Sequence, residues 1–338
     1  MNFQSRRDQL LGQIADGVGL FFSAPERRRN YDVFYPYRQD SNFYYLTGFE
    51  EPSALLVLCG HRAPGDQSHL FLRERDPARE IWDGHRLGLE AAPSALQIDQ
   101  AHSIEALSDL LPKLLEGASA LHYAFGDESE QDQQVLRALK RSQAVERRGG
   151  SAAHQIVDLS QTLHLNRWRK SPEEQAQMRA AAELAALGHQ RAMECATPGI
   201  YEYQLQAEME RCWRLAGSPR NAYPSIVGSG PMACILHYHE NQRRCEAGDL
   251  VLIDAGCELG YYASDITRTW PVSGKFTKPQ RALYELTLAA QEAAIERCRV
   301  GESLKSVHDR AVEVLVQGLC DLSLLQESPA EAIETQSY

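Results

Sequence analysis

The chain has 338 residues, 43% hydrophobic and 24% charged, with a formal charge of −11 and a pI near 5.5. That is the composition of a globular protein long enough for two cores, and its acidity argues against nucleic acid or an anionic membrane surface as partner. The N-terminus lacks a signal-peptide core, every apolar run is interrupted well short of the ~18 residues of a membrane span, and the eight cysteines include no C-x-x-C pair. A cytoplasmic protein with reduced thiols is expected, with no membrane association and no disulfide framework or zinc ribbon.

In chain order, strands are expected at Val18–Ala24, Phe43–Phe49, Ala54–Cys59 and His69–Glu74, punctuated by Pro25, Pro52 and Pro64-Gly65. Helices follow at Ile104–Leu115 and Glu130–Arg141, a loop at Arg147–Ser151, and a helical stretch with Leu159, Leu163 and Leu165 that ends near Lys170. Ser171-Pro172-Glu173-Glu174 is a helix start: Ser171 caps, Pro172 suits the first turn, and Glu174 completes a capping box. This helix runs to about Ala196, where Thr197-Pro198-Gly199 stops it, and a second spans about Tyr203–Ala216. Strand-like segments at Ser225–Gly228 and Cys234–Tyr238 precede a hairpin, then helices at Gln280–Arg299 and Ser303–Leu319. Gln326–Tyr338 is polar with little apolar periodicity. The pattern predicts two domains, 1–168 and 169–338.

The hairpin carries the chemistry. Asp254 and Asp265 lie in a run of apolar and β-branched residues that turns near Gly260. With a two-residue loop at Leu259-Gly260 they face each other directly, with Cβ atoms about 4.5–5.5 Å apart. Leu-Gly is a poor two-residue loop, and a one-residue bulge would break the pairing. Opposed like charges cost stability, so a divalent cation between them is the economical expectation.

Two carboxylates do not complete a two-metal site, and His308, the one later histidine, reads as a helical surface or core residue. In Ile235-Leu236-His237-Tyr238-His239-Glu240-Asn241, a strand would place His237 and His239 on one face. They could then bind metal, or His237 could hydrogen-bond substrate or a developing oxyanion, or both could simply be polar residues at a strand end. Val227-Gly228-Ser229-Gly230 lacks the Lys-Ser/Thr of a phosphate loop. Trp82, within Glu80–Arg86, reads either as a partly buried loop residue or as an apolar wall or interface anchor.

The stretches YPYRQDSNFYYLTGFEEPSALLVL, EIWDGHRLG, KSPEE, YPSIVGSG, CILHYHEN and GDLVLIDAGCELGYYASDITRTWPVSGKF resemble the Xaa-Pro aminopeptidases (aminopeptidase P) of the pita-bread metallopeptidase family. The resemblance covers both halves of the chain. It implies an α/β N-terminal domain of creatinase type and an α+β pita-bread catalytic domain, incomplete in these residues. It also implies two divalent ions, typically Mn2+, and release of an N-terminal residue that precedes proline. Asp254 would chelate one ion and Asp265 bridge both. His237 would support the transition state, Tyr223 would line the cleft, and Trp82 would be lent by a neighbouring subunit to the proline site of a homo-oligomer. Asp32 is a candidate supporting contact. The family's remaining ligands, a His in a His-x-x-Gly-His-like stretch and two Glu, lie C-terminal to anything present here, as does an Arg. The chain is therefore expected to be an N-terminal portion, with little activity by itself. A prolidase and a non-catalytic pita-bread peptide-binding module are the alternatives.

Overall fold

A computed structural model describes residues 1–126 and 128–338 and divides into two compact units, Met1–Gln177 and Met178–Tyr338. The first contains α1 (Phe3–Ile14), β1 (Val18–Phe22), β2 (Arg28–Asn30), β3 (Val33–Phe34), α2 (Ser41–Thr47), β4 (Leu55–Cys59), β5 (Ser68–Leu72), α3 (Pro77–Asp83) and α4 (Gly88–Leu96). It continues with β6 (Gln100–Ser103), α5 (Leu107–Leu115), β7 (Ala120–His122), α6 (Ser129–Ser142), β8 (Gln155–Val157) and α7 (Ser160–Trp168), and ends within α8 (Pro172–Cys195).

Six strands form one mixed sheet in the order β6-β5-β4-β1-β7-β8. Every residue of β4 and β5 is buried, because helices cover both faces. Alternation divides the strand between two cores. Leu55, Val57 and Cys59 pack with Leu111 and Leu115 of α5 and Leu139 of α6, whereas Leu56 and Leu58 join Leu10 of α1, Phe43 and Leu46 of α2 and Leu163 of α7.

Phe43–Phe49, expected as a strand, is not one; α2 occupies most of it. Asp40 accepts the amides of Asn42 and Phe43 at 2.9 and 2.8 Å, and Gly48 ends the helix with φ +66°. These caps override the β preference of the aromatic residues. The capping box at Ser171 is present: Ser171 N–H donates to Glu174 at 2.8 Å, and Glu174 N–H to Ser171 Oγ at 3.2 Å. Glu174 also pairs with Arg6 at 3.1 Å.

The second unit begins within α8 and adds α9 (Glu202–Leu215), β9 (Arg220–Asn221), β10 (Ile226–Ser229), β11 (Leu250–Ala255), β12 (Cys257–Leu259), β13 (Tyr262–Ala263) and β14 (Ile266–Pro271). Three helices follow: α10 (Lys278–Arg297), α11 (Leu304–Asp321) and α12 (Pro329–Thr335). Strands β10-β11-β14 form one three-stranded sheet and β13-β12-β9 another. Burial alternates along β11, so Val251, Ile253 and Ala255 pack under Leu184 of α8 and Leu205, Met209 and Trp213 of α9, while Asp254 points to the opposite face. Ile253 is fully buried; Leu250 and Leu252, on the other face, are half-buried.

Two further expectations change here. Cys234–Tyr238 is not a strand: a 3-10 turn spans Gly230–Cys234, and irregular backbone follows. The polar segment 326–338 contains α12, started by Ser328 and Pro329 and anchored by Ala332 against Val312 and Val316. No helix among the described residues is long and apolar enough to cross a membrane.

Candidate active site

The hairpin turns one residue later than expected. Leu259 pairs with Tyr262, and the loop is Gly260-Tyr261, with φ +56° and +68°. Positive φ at both central positions is the type I′ requirement, and it matches the right-handed twist of the strands. The register therefore moves by two: Asp254 faces Thr267, and Asp265 lies two residues away along the same side of the strand pair. The aspartates are diagonal neighbours and not directly opposed. A shift of two preserves the face, so they still converge. Gly256, where the chain passes from β11 to β12, is required: a Cβ there would lie 1.8 Å from the Ser264 carbonyl oxygen.

Tyr223, half-buried, links the two carboxylates. Its hydroxyl lies 2.5 Å from Asp254 Oδ1 and 3.0 Å from Asp265 Oδ1. Burial, and then the hydrogen bond to Asp254, raises the phenol above its ordinary pKa, so it keeps its proton. One phenol proton cannot fully satisfy both acceptors, so the two carboxylates compete for it. A cation shared by the carboxylates would resolve this, and hard oxygen donors suit Mn2+, Mg2+ or Ca2+. Asp254 and Asp265 thus fit part of a divalent-metal ligand set. Among the described residues no group of three or more His, Cys, Asp or Glu side chains converges to hold an ion.

Tyr223, Pro224, Ile226, His237, His239, Asp254 and Asp265 line a cleft of about 330 Å3. The His237 and His239 rings are nearly parallel, with centroids 6.2 Å apart and planes at 16°, on non-strand backbone. Behind the sheet, buried His189 donates Nε2–H to the Ala255 carbonyl at 3.1 Å, next to Asp254. Four of the six candidate residues (Tyr223, His237, Asp254, Asp265) therefore share one cleft. Asp32 and Trp82 belong to the first unit and are not among its lining residues. Trp82 lies on α3 and is 85% exposed, so the reading as a partly buried loop residue is wrong. The His-Tyr-His spacing offers His239 beside His237 as a possible metal-binding pair, whereas nothing local signals Pro224 or Ile226 as lining residues.

Two family models match the chain: aminopeptidase P, N-terminal domain, over residues 3–123, and metallopeptidase family M24 over residues 176–329. The Xaa-Pro aminopeptidase of Escherichia coli K12 is 42% identical over 337 residues, covering 99% of this chain and 76% of its own length. The structure of Pseudomonas aeruginosa aminopeptidase PepP superposes with a TM-score of 0.96 at 42% identity, covering 99% of this chain and 76% of that one. Zinc-substituted E. coli aminopeptidase P in complex with product gives the same TM-score, identity and coverage. The chain belongs to the Xaa-Pro aminopeptidases, metallopeptidases of family M24 that carry the aminopeptidase P N-terminal domain.

Proposed function

We propose that this chain carries the carboxylate and substrate-side part of a manganese-dependent site that releases an N-terminal residue preceding proline. The observation that carries the reading is the Tyr223 hydroxyl bridging Asp254 and Asp265 in the cleft lined by His237 and His239. Asp254 would chelate one ion and Asp265 bridge a pair. When bound, such a pair supplies Lewis acidity and a water-derived nucleophile at neutral pH.

The chain's own groups do the rest. The His237 ring donates an N–H to the scissile carbonyl oxygen as negative charge develops there. Tyr223 holds its proton at the carboxylate edge. Ile226 and Pro224 give the cleft an apolar wall. Trp82, exposed on α3, is proposed to close the proline site of a neighbouring copy in a homo-oligomer, with Asp32 as a supporting contact; burying so large an exposed aromatic favours association. Functional domains are placed at 1–168 and 169–338. All eight cysteines are free, which supports a reducing, cytoplasmic setting.

The test is Mn2+-dependent release of the first residue from an Xaa-Pro-Xaa tripeptide by the native protein. The native protein is expected to cut the tripeptide, and cutting of Xaa-Pro dipeptides only would favour a prolidase.

A further inference from the structure

The segment from Gly230 to Glu240 brings His237 and His239 to the cleft, yet burial does little to hold it. Leu236 is 88% exposed and Ile235 49% exposed, and the only buried side chain in the segment is Tyr238, 6% exposed. Its order must come from polar contacts, and these meet at Glu202, which opens α9 and has no exposed surface. At the start of the segment, Ser229 donates its N–H and its hydroxyl to Glu202 Oε1, both at 2.7 Å. In the middle, the Tyr238 hydroxyl donates to Oε2 at 2.8 Å. Just past the end, Arg243 N–H donates to Oε2, also at 2.8 Å. One carboxylate thus accepts four bonds, its full capacity, from the beginning, middle and end of one loop.

The surroundings support this. Arg243 Nη1 donates to Ser229 Oγ at 2.8 Å and pairs with Asp249. Asn241 adds a second tie, accepting from Val227 N–H at 3.0 Å and donating to the Ser225 carbonyl at 2.8 Å. Burial, and then the bond to Glu202, raises the Tyr238 phenol, so it remains a donor.

We infer that Glu202 is a positioning residue: through Tyr238 it latches the loop and fixes His237 and His239 at the cleft, although it lines no part of the cleft itself. The inference rests on the reading of His237 as the substrate-side histidine. Losing the Tyr238 hydroxyl alone would leave the ring packed but free the loop to move. A misplacement of about 1 Å at a reacting group is worth on the order of a hundredfold in rate.

Tyr238→Phe is the sparing variant and Glu202→Gln the stronger one, since an amide keeps the shape but accepts fewer bonds. With the native protein, Tyr238→Phe is expected to lower kcat on the tripeptide at least about tenfold while KM changes less than about twofold. In histidine-ring NMR, the His237 and His239 signals should move toward those of free histidine, and new protease cuts should appear within 230–240. A kcat within about twofold of wild type, or ring signals that do not move, would overturn the inference. If native protein leaves the tripeptide uncut, the functional reading fails, and the ring signals alone then uphold or overturn the latch. If Glu202→Gln does not fold, Tyr238→Phe decides.

Discussion

The two units cover their sheets differently. In the first, helices close both faces, and even Arg7 is drawn inside: it is 1% exposed and donates to the carbonyls of Leu46 at 2.7 Å, Leu96 at 3.1 Å and Gln97, at the ends of α2 and α4. In the second, α8 and α9 cover one face of β10-β11-β14, and the other presents Asp254 to the cleft. The first arrangement uses its polar groups to finish helices; the second leaves carboxylates crowded at a surface. Like charges persist where they serve chemistry, at a cost in stability that the closed unit does not carry.

The largest expected effect tests the closed unit. Arg7→Ala strips three carbonyls of their buried donor and leaves a cavity, and should cost about 3–5 kcal/mol in urea unfolding. Burial has already lowered this guanidinium to about 10, but Arg7→Lys should rescue poorly, because an ammonium cannot span the same three acceptors from a planar fork. A loss under about 1 kcal/mol would show that the first unit tolerates open polar groups as the second does.

Helix glycines give a smaller contrast. Gly→Ala within a helix ordinarily gains up to about 1 kcal/mol. At Gly12 of α1 an added Cβ meets nothing within 4 Å, so Gly12→Ala should stabilise. At Gly188 of α8 it would fall 2.3 Å from Trp213 Nε1, so Gly188→Ala should instead cost about 1–3 kcal/mol by overpacking. Thermal melts of the pair with the same sign would remove this distinction.

Acid should reach the first unit sooner. Its His61, His69, His102 and His122 all have pKa values lowered from 6.5, chiefly by burial, whereas His189 is the one such group in the second. His69 shows why. Nε2 must donate to the Asp66 carbonyl, 3.1 Å away, so Nδ1 accepts from His102 at 3.1 Å, and adding a proton breaks that bond. A lowered folded pKa means that the unfolded chain binds more protons, so stability is full above about 6.5 and falls as pH drops below it. Hydrogen exchange at falling pH should loosen β5 and β6 before β11; the reverse order would contradict the assignment.

Much of this was legible in the sequence where the signal is local. The Ser171 capping box, the buried strands β4 and β5 and the Asp254/Asp265 hairpin each rest on a few adjacent residues. Phe43–Phe49 misled because aromatics suit either structure and the deciding caps, Asp40 and Gly48, flank it. The hairpin register slipped because Gly260 alone marks a turn, whereas the loop also recruits Tyr261 at positive φ. Tyr223 was placed through family resemblance; its bonds to carboxylates 31 and 42 residues away have no local mark. Glu202 has no local mark for the same reason, its partners lying 27 to 41 residues downstream.

The smallest effect on stability tests the open face itself. Asp265 is exposed and Asp254 half-buried, and both carboxylates claim one Tyr223 proton. Asp265→Asn removes one charge of the pair and offers the phenol oxygen an N–H donor in place of an acceptor. In chelator-treated protein it should stabilise slightly, within about 1 kcal/mol, because water screens an exposed carboxylate. The same change removes an anionic donor, so calorimetry should show Mn2+ binding weakened relative to wild type. The two readouts move in opposite directions only if the carboxylates are crowded for the sake of a cation. Destabilisation with unchanged Mn2+ binding would make Asp265 a structural acceptor for Tyr223, and the second unit's open face would then differ from the first unit's covered sheet in exposure alone.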